Sequence, residues 1–290
     1  MRILILGGDG MMGHRLFAQL RERHHVRVTL RAPLPSYARL GLFDATNAFE
    51  NVDVRSLERL TEIMTTFRPD AVVNCVGIIK QRDAANDVVA SLQVNALLPH
   101  RLASLCALAG SRLVHLSTDC VFSGTRGRYL ESDPADAQDV YGRTKHLGEV
   151  SQSHCLTLRT SIVGFELRRG GSLLEWFLAQ TGPVKGFRRA IFSGLTTNAL
   201  SRIVQSILVD HPAASGLYQV ASEPIDKYTL LKLFRDALAP GIEIVPDDAL
   251  VIDRSLDPGL FRSRFGYEAP SWPAMVEDLA AAGRLAPRDG

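Results

Sequence analysis

The chain has 290 residues, 46% hydrophobic and 22% charged, with a formal net charge of +2, which suits one large domain or a domain with a smaller partner. The near balance of charge gives no reason to expect binding to nucleic acid or a membrane surface, and no apolar run reaches the roughly 18 residues of a membrane-spanning helix. Its four cysteines lack metal-site spacing, so we expect no metal and a reducing, cytoplasmic environment.

The N-terminus predicts a buried strand, a glycine-rich turn and a helix. Arg2 to Leu6 is apolar after its first residue, and we interpret it as a strand rather than a leader because glycines and a charge follow at once. Glycines let the backbone approach a pyrophosphate, whose charge is stabilised at the N-terminus of the helix, here running to about Arg23. Two spacings fit, GxGxxG from Gly8 and GxxGxxG from Gly7. The expected dinucleotide contacts are Gly7, Gly10, Met11, Met12 and Gly13.

The second strand, Val26 to Leu30, ends in a residue that bears on cofactor choice. An acidic residue at this place would bind the ribose hydroxyls of NAD. This chain has Arg31 and no acid before Asp44. Because arginine pairs with a 2′-phosphate, NADPH is favoured over NADH. The alternative is an arginine that merely lies in a loop.

The next elements bring further backbone toward the same edge of the sheet. A helix is expected from about Ser56 to Phe67, and a third strand from Ala71 to Asn74. The strand ends in small residues that allow the close approach of a cofactor, namely Cys75, Val76 and Gly77. Lys80 and Gln81 follow in a loop facing cofactor or substrate, and no role is assigned to them. A long helix from about Asp87 to Ala109 should be broken or bent near Pro99.

The stretch from Leu113 to Glu149 indicates the chemistry. It opens with a buried strand whose end is expected at Ser117, Thr118 and Asp119. Tyr141 and Lys145 lie four apart in a helical segment and therefore share one helix face. A hydroxyl at a strand end that faces this pair can protonate or deprotonate an oxygen. Alone, a YxxxK pattern is usually a solvated helix face.

The alternation of strand and helix through the strand Cys155 to Arg159 predicts an α/β fold, a doubly wound parallel sheet of Rossmann type. Beyond Gly164 the pattern loosens into a smaller C-terminal substrate-binding lobe. We expect residues 1–164, with 198–220 returning to them, to form the dinucleotide-binding domain, and 165–197 with 221–290 to form the lobe. Further helices are expected over Leu173 to Gln180, Asn198 to Leu208, Tyr228 to Leu238 and Ala274 to Ala282, with a strand over Gly216 to Val220.

Three segments, STDCVFSG, YGRTKHLGE and LRTSIVG, resemble the dTDP-4-dehydrorhamnose reductase branch of the extended short-chain dehydrogenases/reductases, which act on nucleotide sugars. The resemblance favours the GxxGxxG interpretation of the turn. It implies NADPH-dependent reduction of a 4-keto sugar nucleotide, in deoxysugar or cell-surface polysaccharide biosynthesis. It is also compatible with a homodimer.

The resemblance assigns catalytic roles to three residues. Tyr141 would protonate the developing oxyanion, and Thr118 would donate a hydrogen bond to the sugar carbonyl. Lys145 would hold the nicotinamide ribose. An ammonium about 4 Å from the phenol contributes roughly 4 kcal/mol at an effective dielectric near 20, which lowers the pKa of Tyr141 by on the order of three units.

The resemblance also implies binding residues outside this triad. Asp53 and Val54 match a pair that contacts adenine, although Asp53 is also a plausible helix-capping acid. Asn95 matches an asparagine near the active site, with a bridging role in the core as its alternative. On the substrate side the candidates are Asp119, Cys120, which stands where these reductases typically have tyrosine, and Arg254, in a segment similar to one near the nucleotide diphosphate.

Other functions on this fold predict different residues. A dehydratase would place glutamate after the Thr-Asp pair, where this chain has Cys120. A nucleotide-sugar epimerase keeps Tyr141 and Lys145 and is harder to separate. A non-catalytic regulatory protein, such as the regulatory subunit of methionine adenosyltransferase, often loses part of the triad, which is complete here.

Overall fold

A parallel sheet forms the centre of the protein in a computed structural model that describes residues 1–79, 87–168 and 170–285. Lys80 and Gln81 lie outside the described residues. Within them, none of the helices is long and apolar enough to cross a membrane. The strands, in chain order, are β1 Arg2–Leu6, β2 His25–Thr29, β3 Ala48–Phe49, β4 Ala71–Asn74, β5 Arg112–Thr118, β6 Cys155–Thr160, β7 Ile162–Val163, β8 Val184–Phe187, β9 Ala190–Phe192, β10 Leu195–Thr196, β11 Gly216–Gln219, β12 Ile225–Asp226, β13 Ile244–Asp247 and β14 Ile252–Asp253.

The α-helices connect these strands and cover the sheet. In chain order they are α1 Met11–Leu20, α2 Leu57–Phe67, α3 Val88–Ser91, α4 Leu98–Ala109, α5 Val140–Leu147, α6 Leu173–Leu178, α7 Thr197–Asp210, α8 Lys227–Leu238, α9 Gly259–Phe265 and α10 Trp272–Ala282.

Seven of the described strands form the main sheet in the order β11-β6-β5-β4-β1-β2-β3, and every neighbouring pair is parallel. Its two faces bury alternate residues of each strand: Ile3 and Ile5 of β1 join one hydrophobic core, whereas Leu4 and Leu6 join the other. Burial on both faces is typical of a parallel sheet between two layers of helices. The predicted doubly wound α/β fold is therefore confirmed.

Element boundaries differ from those expected where local patterns are weak. The helix α1 ends at Leu20 rather than near Arg23, and β2 begins one residue earlier than expected. The two-residue strand β3 was not expected, because so short a strand has no periodicity of its own. The strand over 216–219 pairs with β6 and extends the main sheet, as expected.

The break in the long helix lies just before Pro99. Residues Leu92–Leu97 form a π-helical segment between α3 and α4, and the amide of Leu98 donates to the carbonyl of Gln93. Proline has no N–H to donate to the carbonyl four residues earlier, which belongs to Asn95. The wider turn therefore occurs where the regular hydrogen-bond ladder is already interrupted.

The strands outside the main sheet are short and form no continuous sheet. β12 and β14 both pair with β9, antiparallel and parallel respectively, and β8 pairs with β13. A small hydrophobic cluster joins the segment after β5 to a residue that follows β14, and its members include Phe122, Tyr129 and Leu256. The C-terminal part of the chain is thus packed directly against the segment that follows β5.

Two glycines let α5 lie unusually close to neighbouring backbone. A Cβ atom at Gly142 would lie 2.2 Å from the Cys120 carbonyl oxygen, and one at Gly148 would lie 1.9 Å from that of Asn95. The side chain of Asp139 accepts a hydrogen bond from the amide of Gly142 at 2.9 Å and so caps the helix. These contacts place α5 against the end of β5.

We expect Gly142→Ala to destabilise the protein although alanine is the better helix former. Helix propensity favours alanine by about 1 kcal/mol, but the added methyl group meets a backbone carbonyl that must move, and overpacking typically costs about 1–3 kcal/mol. Gly182→Ala is the matched control, because a Cβ atom there meets nothing within 4 Å. Urea denaturation measures both. Equal midpoints for Gly142→Ala and the parent would show that α5 has room to shift.

Candidate active site

The carboxyl end of β5 and the helix α5 bring the predicted catalytic residues together. Thr118 is the last residue of β5, and its Oγ1 donates to Asp119 Oδ1 at 3.0 Å and accepts from the Cys120 amide at 3.1 Å. The hydroxyl also interacts with the phenol of Tyr141 and thereby favours its ionised form. The predicted pairing of Thr118 with Tyr141 is present.

Lys145 is almost completely buried, with 4% of its surface exposed. Its Nζ donates to the carbonyl oxygen of Leu116 at 2.7 Å. Burial lowers the pKa of the ammonium to about 8, although the nearby Glu149 and Cys75 favour the charged form. An amine with a pKa this close to neutral still carries its proton at pH 7 and loses it in mildly alkaline solution.

The pKa of Tyr141 is raised rather than lowered. Burial is the main cause, and Cys120 and Asp119 add to it, while the Thr118 hydroxyl opposes it. The sequence-based expectation that Lys145 lowers the pKa of Tyr141 is wrong for this structure, since desolvation of the phenol has the largest effect on its pKa. The phenol is therefore protonated at neutral pH, which is the state a proton donor needs.

A buried polar network that sequence reasoning missed surrounds the lysine. Glu149 accepts hydrogen bonds from Ser117 Oγ at 2.7 Å and from Arg159 Nε and Nη2 at 2.8 Å each, and His146 Nδ1 lies 3.0 Å from its second oxygen. These bonds hold the pKa of Glu149 below its usual range despite burial. Its carboxylate therefore stays charged beside Lys145. The four-residue spacing of Lys145 and Glu149 was the available signal.

The glycine turn after β1 is shaped to hold a phosphate group. The amide of Gly10 donates to the Gly7 carbonyl at 3.0 Å, and a Cβ atom at Gly13 would lie 2.0 Å from that same oxygen. No side chain caps α1 and its first turn has no acidic residue, as suits an anion at the positive end of a helix dipole. These features fit a dinucleotide. The side chain of Met12 is 4% exposed and packs in the core, so only its backbone, with that of Met11, faces the turn.

The residues expected near the adenosine, Arg31, Asp53 and Val54, differ in exposure and in the groups they contact. Arg31 is exposed just beyond β2, and its charge lowers the pKa of Asp53. The carboxylate of Asp53 is held by Arg55, whose Nη2 lies 2.6 Å from Oδ2. Val54 is half-buried and packs against the core. Asp53 is thus engaged with its own loop, whereas Arg31 is extended toward solvent.

Behind β4, the segment of Cys75, Val76 and Gly77 adjoins the glycine turn. A Cβ atom at Gly7 would lie 3.0 Å from Val76 Cγ2, so the two strand ends are in contact. Asn95 Oδ1 accepts from the Ile78 amide at 2.8 Å and its Nδ2 donates to the Ile78 carbonyl at 3.0 Å. The amide of Asn95 therefore bridges the core and fixes the loop after β4.

The substrate-side candidates lie along the opposite wall. Asp119 is buried and its pKa is raised by burial, with Arg254 acting in the opposite direction. Arg254 Nε donates to the Phe122 carbonyl at 2.8 Å. Cys120 lies beside both, and burial raises the pKa of its thiol. Lys227, which the sequence did not single out, has electrostatic contacts with Asp119, Cys120 and Arg254.

Comparisons with known proteins agree with this geometry. The family model described as RmlD substrate binding domain matches residues 1–180. A dTDP-4-keto-6-deoxy-D-glucose reductase of Streptomyces niveus is 34% identical over 51% of this chain. The match spans about half of that relative's length, 46%. A dTDP-4-dehydrorhamnose reductase of Burkholderia thailandensis is 32% identical over 95% of this chain and 97% of its own. The fold matches a dTDP-4-dehydrorhamnose reductase structure from Bacillus anthracis in complex with NADP, with a TM-score of 0.80, 18% identity and coverage of 98% and 99%.

The buried ammonium of Lys145 predicts a specific dependence of stability on pH. The pKa of this lysine is 10.5 in the unfolded chain and about 8 in the folded protein, so between these values the unfolded chain binds more protons. The free energy of unfolding therefore increases as the pH rises through that window. Relative to Lys145→Met, the parent should gain up to about 3 kcal/mol between pH 7.5 and pH 10.

Urea denaturation across this pH range measures the difference. Lys185→Met, which removes a lysine whose side chain is 73% exposed, is the control and should give a flat difference. A difference between the parent and Lys145→Met that does not change with pH would mean that the ammonium is solvated.

Proposed function

The chain belongs to the family described by the RmlD substrate binding domain model, and we propose that it reduces a 4-keto sugar nucleotide with NADPH. It is an NAD(P)-dependent oxidoreductase. The observation that carries the proposal is the convergence of Thr118, Tyr141 and Lys145 at the end of β5, opposite a glycine turn that fits a dinucleotide. The full-length relative from Burkholderia thailandensis, described as a dTDP-4-dehydrorhamnose reductase, supports the substrate class.

The residues of the site have separate roles in carbonyl reduction. A bound nicotinamide would supply the hydride, and Gly7, Gly10 and Gly13 would hold its pyrophosphate. Thr118 orients the carbonyl by a hydrogen bond, and Tyr141, whose raised pKa keeps it protonated at neutral pH, gives its proton to the carbonyl oxygen. The ammonium of Lys145 then stabilises the phenolate left behind, since it is the buried cation on the same helix face.

The site and the comparisons support the two alternative functions, a regulatory protein and an epimerase, less well than a reductase. A non-catalytic regulatory protein has no need to bury Lys145, which is only 4% exposed, and to keep the charged Glu149 beside it. A nucleotide-sugar epimerase would use the same Thr118, Tyr141 and Lys145, and the full-length similarity to a dTDP-4-dehydrorhamnose reductase favours reduction over epimerisation. The reductase therefore accounts for the most features of the site.

The proposal extends to the location of the protein, its domains, its oligomeric state and its biosynthetic role. The four free cysteines support a cytoplasmic location. We keep the division of the chain into a dinucleotide domain, 1–164 with 198–220, and a nucleotide-sugar lobe, 165–197 with 221–290, because β11 pairs with β6 whereas β12 and β14 pair outside the main sheet. A homodimer remains a prediction from the family resemblance, and so does a role in deoxysugar or polysaccharide biosynthesis.

Tyr141→Phe tests the proton donor. The variant keeps the aromatic ring and loses the proton of the hydroxyl, so reduction of dTDP-4-dehydrorhamnose should slow by about 10²–10⁴-fold, whereas NADPH binding should change little. The oxidation of NADPH is followed by absorbance, and binding by fluorescence. Turnover near the parent rate in a folded Tyr141→Phe protein would rule out this mechanism.

Arg31→Asp tests cofactor choice. Removing the cation and adding a repulsive carboxylate should weaken binding of NADPH far more than that of NADH. Arg23→Asp makes the same charge change at the opposite end of β2, where α1 has just ended, and should leave both affinities unchanged. Equal affinities of the parent for the two cofactors would contradict the assignment.

A further inference from the structure

The loop between β7 and α6 carries an arginine to the cofactor-binding half of the protein. The guanidinium carbon of Arg168 lies 4.9 Å from the centre of the Tyr37 ring, within the roughly 6 Å of a cation–π contact. Tyr37 lies in the segment after β2, whereas Arg168 belongs to the part of the chain that we assign to the nucleotide-sugar lobe. A residue of the lobe is therefore in contact with the dinucleotide-binding domain.

Tyr37 fixes the place of this contact relative to the cofactor. Its side chain is buried, its Oη donates to Asp9 Oδ2 at 3.0 Å, and the same oxygen accepts from the Ala32 amide at 3.2 Å. Asp9 lies inside the glycine turn, and Ala32 follows Arg31 directly. The tyrosine thus joins the glycine turn to the end of β2, which is where the adenosine ribose binds in a fold of this type. Arg31 and Arg168 both adjoin this junction.

The described residues on either side of Arg168 are held in place, although its own side chain is exposed. The amide of Glu166 donates to Glu175 Oε1 at 2.9 Å, and Glu166 Oε2 accepts from the Gly171 amide at 2.8 Å. Glu175 is 2% exposed and is paired with Arg284, whose Nη1 donates to its Oε1 at 2.6 Å. The loop is therefore anchored on α6, and among the described residues no carboxylate pairs with Arg168.

The charges at this junction explain why one arginine is not enough to favour a phosphate. A carboxylate beside the ribose favours a hydroxyl, because it accepts a hydrogen bond from a hydroxyl and repels a phosphate. The charge of Arg31 offsets that of Asp9, whereas a phosphate monoester brings about two negative charges at neutral pH. A second cation is needed before the phosphate is preferred, and Arg168 lies close enough to supply it.

We propose that Arg168 binds the 2′-phosphate of NADPH together with Arg31, so that a loop of the nucleotide-sugar lobe takes part in the choice of cofactor. A cation–π contact uses none of the N–H groups of a guanidinium, and these groups can donate two parallel hydrogen bonds to one phosphate. The inference rests on the proposed function, because that function makes NADPH the cofactor.

Binding of 2′,5′-ADP and of 5′-ADP to the full chain, measured by calorimetry, tests the assignment because the two nucleotides differ only in the 2′-phosphate. Arg168→Met should raise the Kd of 2′,5′-ADP about tenfold, the loss expected for one charge-assisted hydrogen bond, and keep that of 5′-ADP within about twofold of the parent. Arg168→Lys should give a smaller increase, since the charge remains without the planar fork.

Arg235→Met is the control for the loss of an exposed arginine. Arg235 pairs with the neighbouring Asp236 near the end of α8, so its removal should change neither Kd. Circular dichroism shows whether each variant is folded, and an unchanged Kd for 5′-ADP shows that the rest of the adenosine site is intact.

The outcomes separate this inference from the proposed reductase function. If Arg168→Met binds 2′,5′-ADP as tightly as the parent, or loses affinity equally for both nucleotides, Arg168 does not bind the 2′-phosphate and the inference is overturned. If the parent itself binds the two nucleotides equally, the assignment of NADPH is overturned with it. If the preference for 2′,5′-ADP depends on Arg168 but the parent reduces no 4-keto sugar nucleotide, the phosphate contact stands and the reductase function fails.

Discussion

The site depends on a cation that is held inside the protein. Desolvating an ammonium is costly unless it is paired and hydrogen-bonded. Lys145 has both kinds of compensation, a carbonyl acceptor on β5 and the carboxylate of Glu149 one turn along the chain. Because its pKa is nevertheless lowered, the compensation is incomplete. Residual cost of this kind is typical of a functional group that is kept for its chemistry rather than for stability.

Glu149 links the helix that carries Lys145 to two strands of the main sheet. It follows α5, it accepts from Ser117 on β5, and it forms a two-bond ion pair with Arg159 on β6, with both side chains at most 7% exposed. Removing a member of such a buried network leaves an unpaired charge, so the three elements are fixed relative to one another. Gly142 and Gly148 fix α5 from the other side by backbone contact. The catalytic pair therefore sits on a helix that is held in place at both ends.

The sequence predicted the parts of this arrangement that follow from local periodicity. Buried runs and glycine turns predicted the parallel sheet, and the four-residue spacing placed Tyr141 and Lys145 on one face. Features that depend on tertiary packing were missed. Glu149 follows α5 and meets Arg159 only once β6 lies beside β5, so no local pattern indicates the pair. The π-helical segment 92–97 lies where Pro99 interrupts the hydrogen-bond ladder, and the approach of Gly148 to the Asn95 carbonyl in this segment comes from a distant part of the chain.

The pKa of Tyr141 was expected in the wrong direction for the same reason, since the degree of burial cannot be obtained from spacing. A phenol with a raised pKa has its proton in place before the carbonyl arrives, and the difficult state is the phenolate that remains afterwards. Lys145 and Thr118 are then needed most after the proton has moved, when the new negative charge must be stabilised. Interactions that strengthen as charge develops accelerate the reaction, whereas those of equal strength before and after do not. On this mechanism the buried ammonium of Lys145 serves the phenolate rather than the resting phenol, whose pKa is set mainly by desolvation.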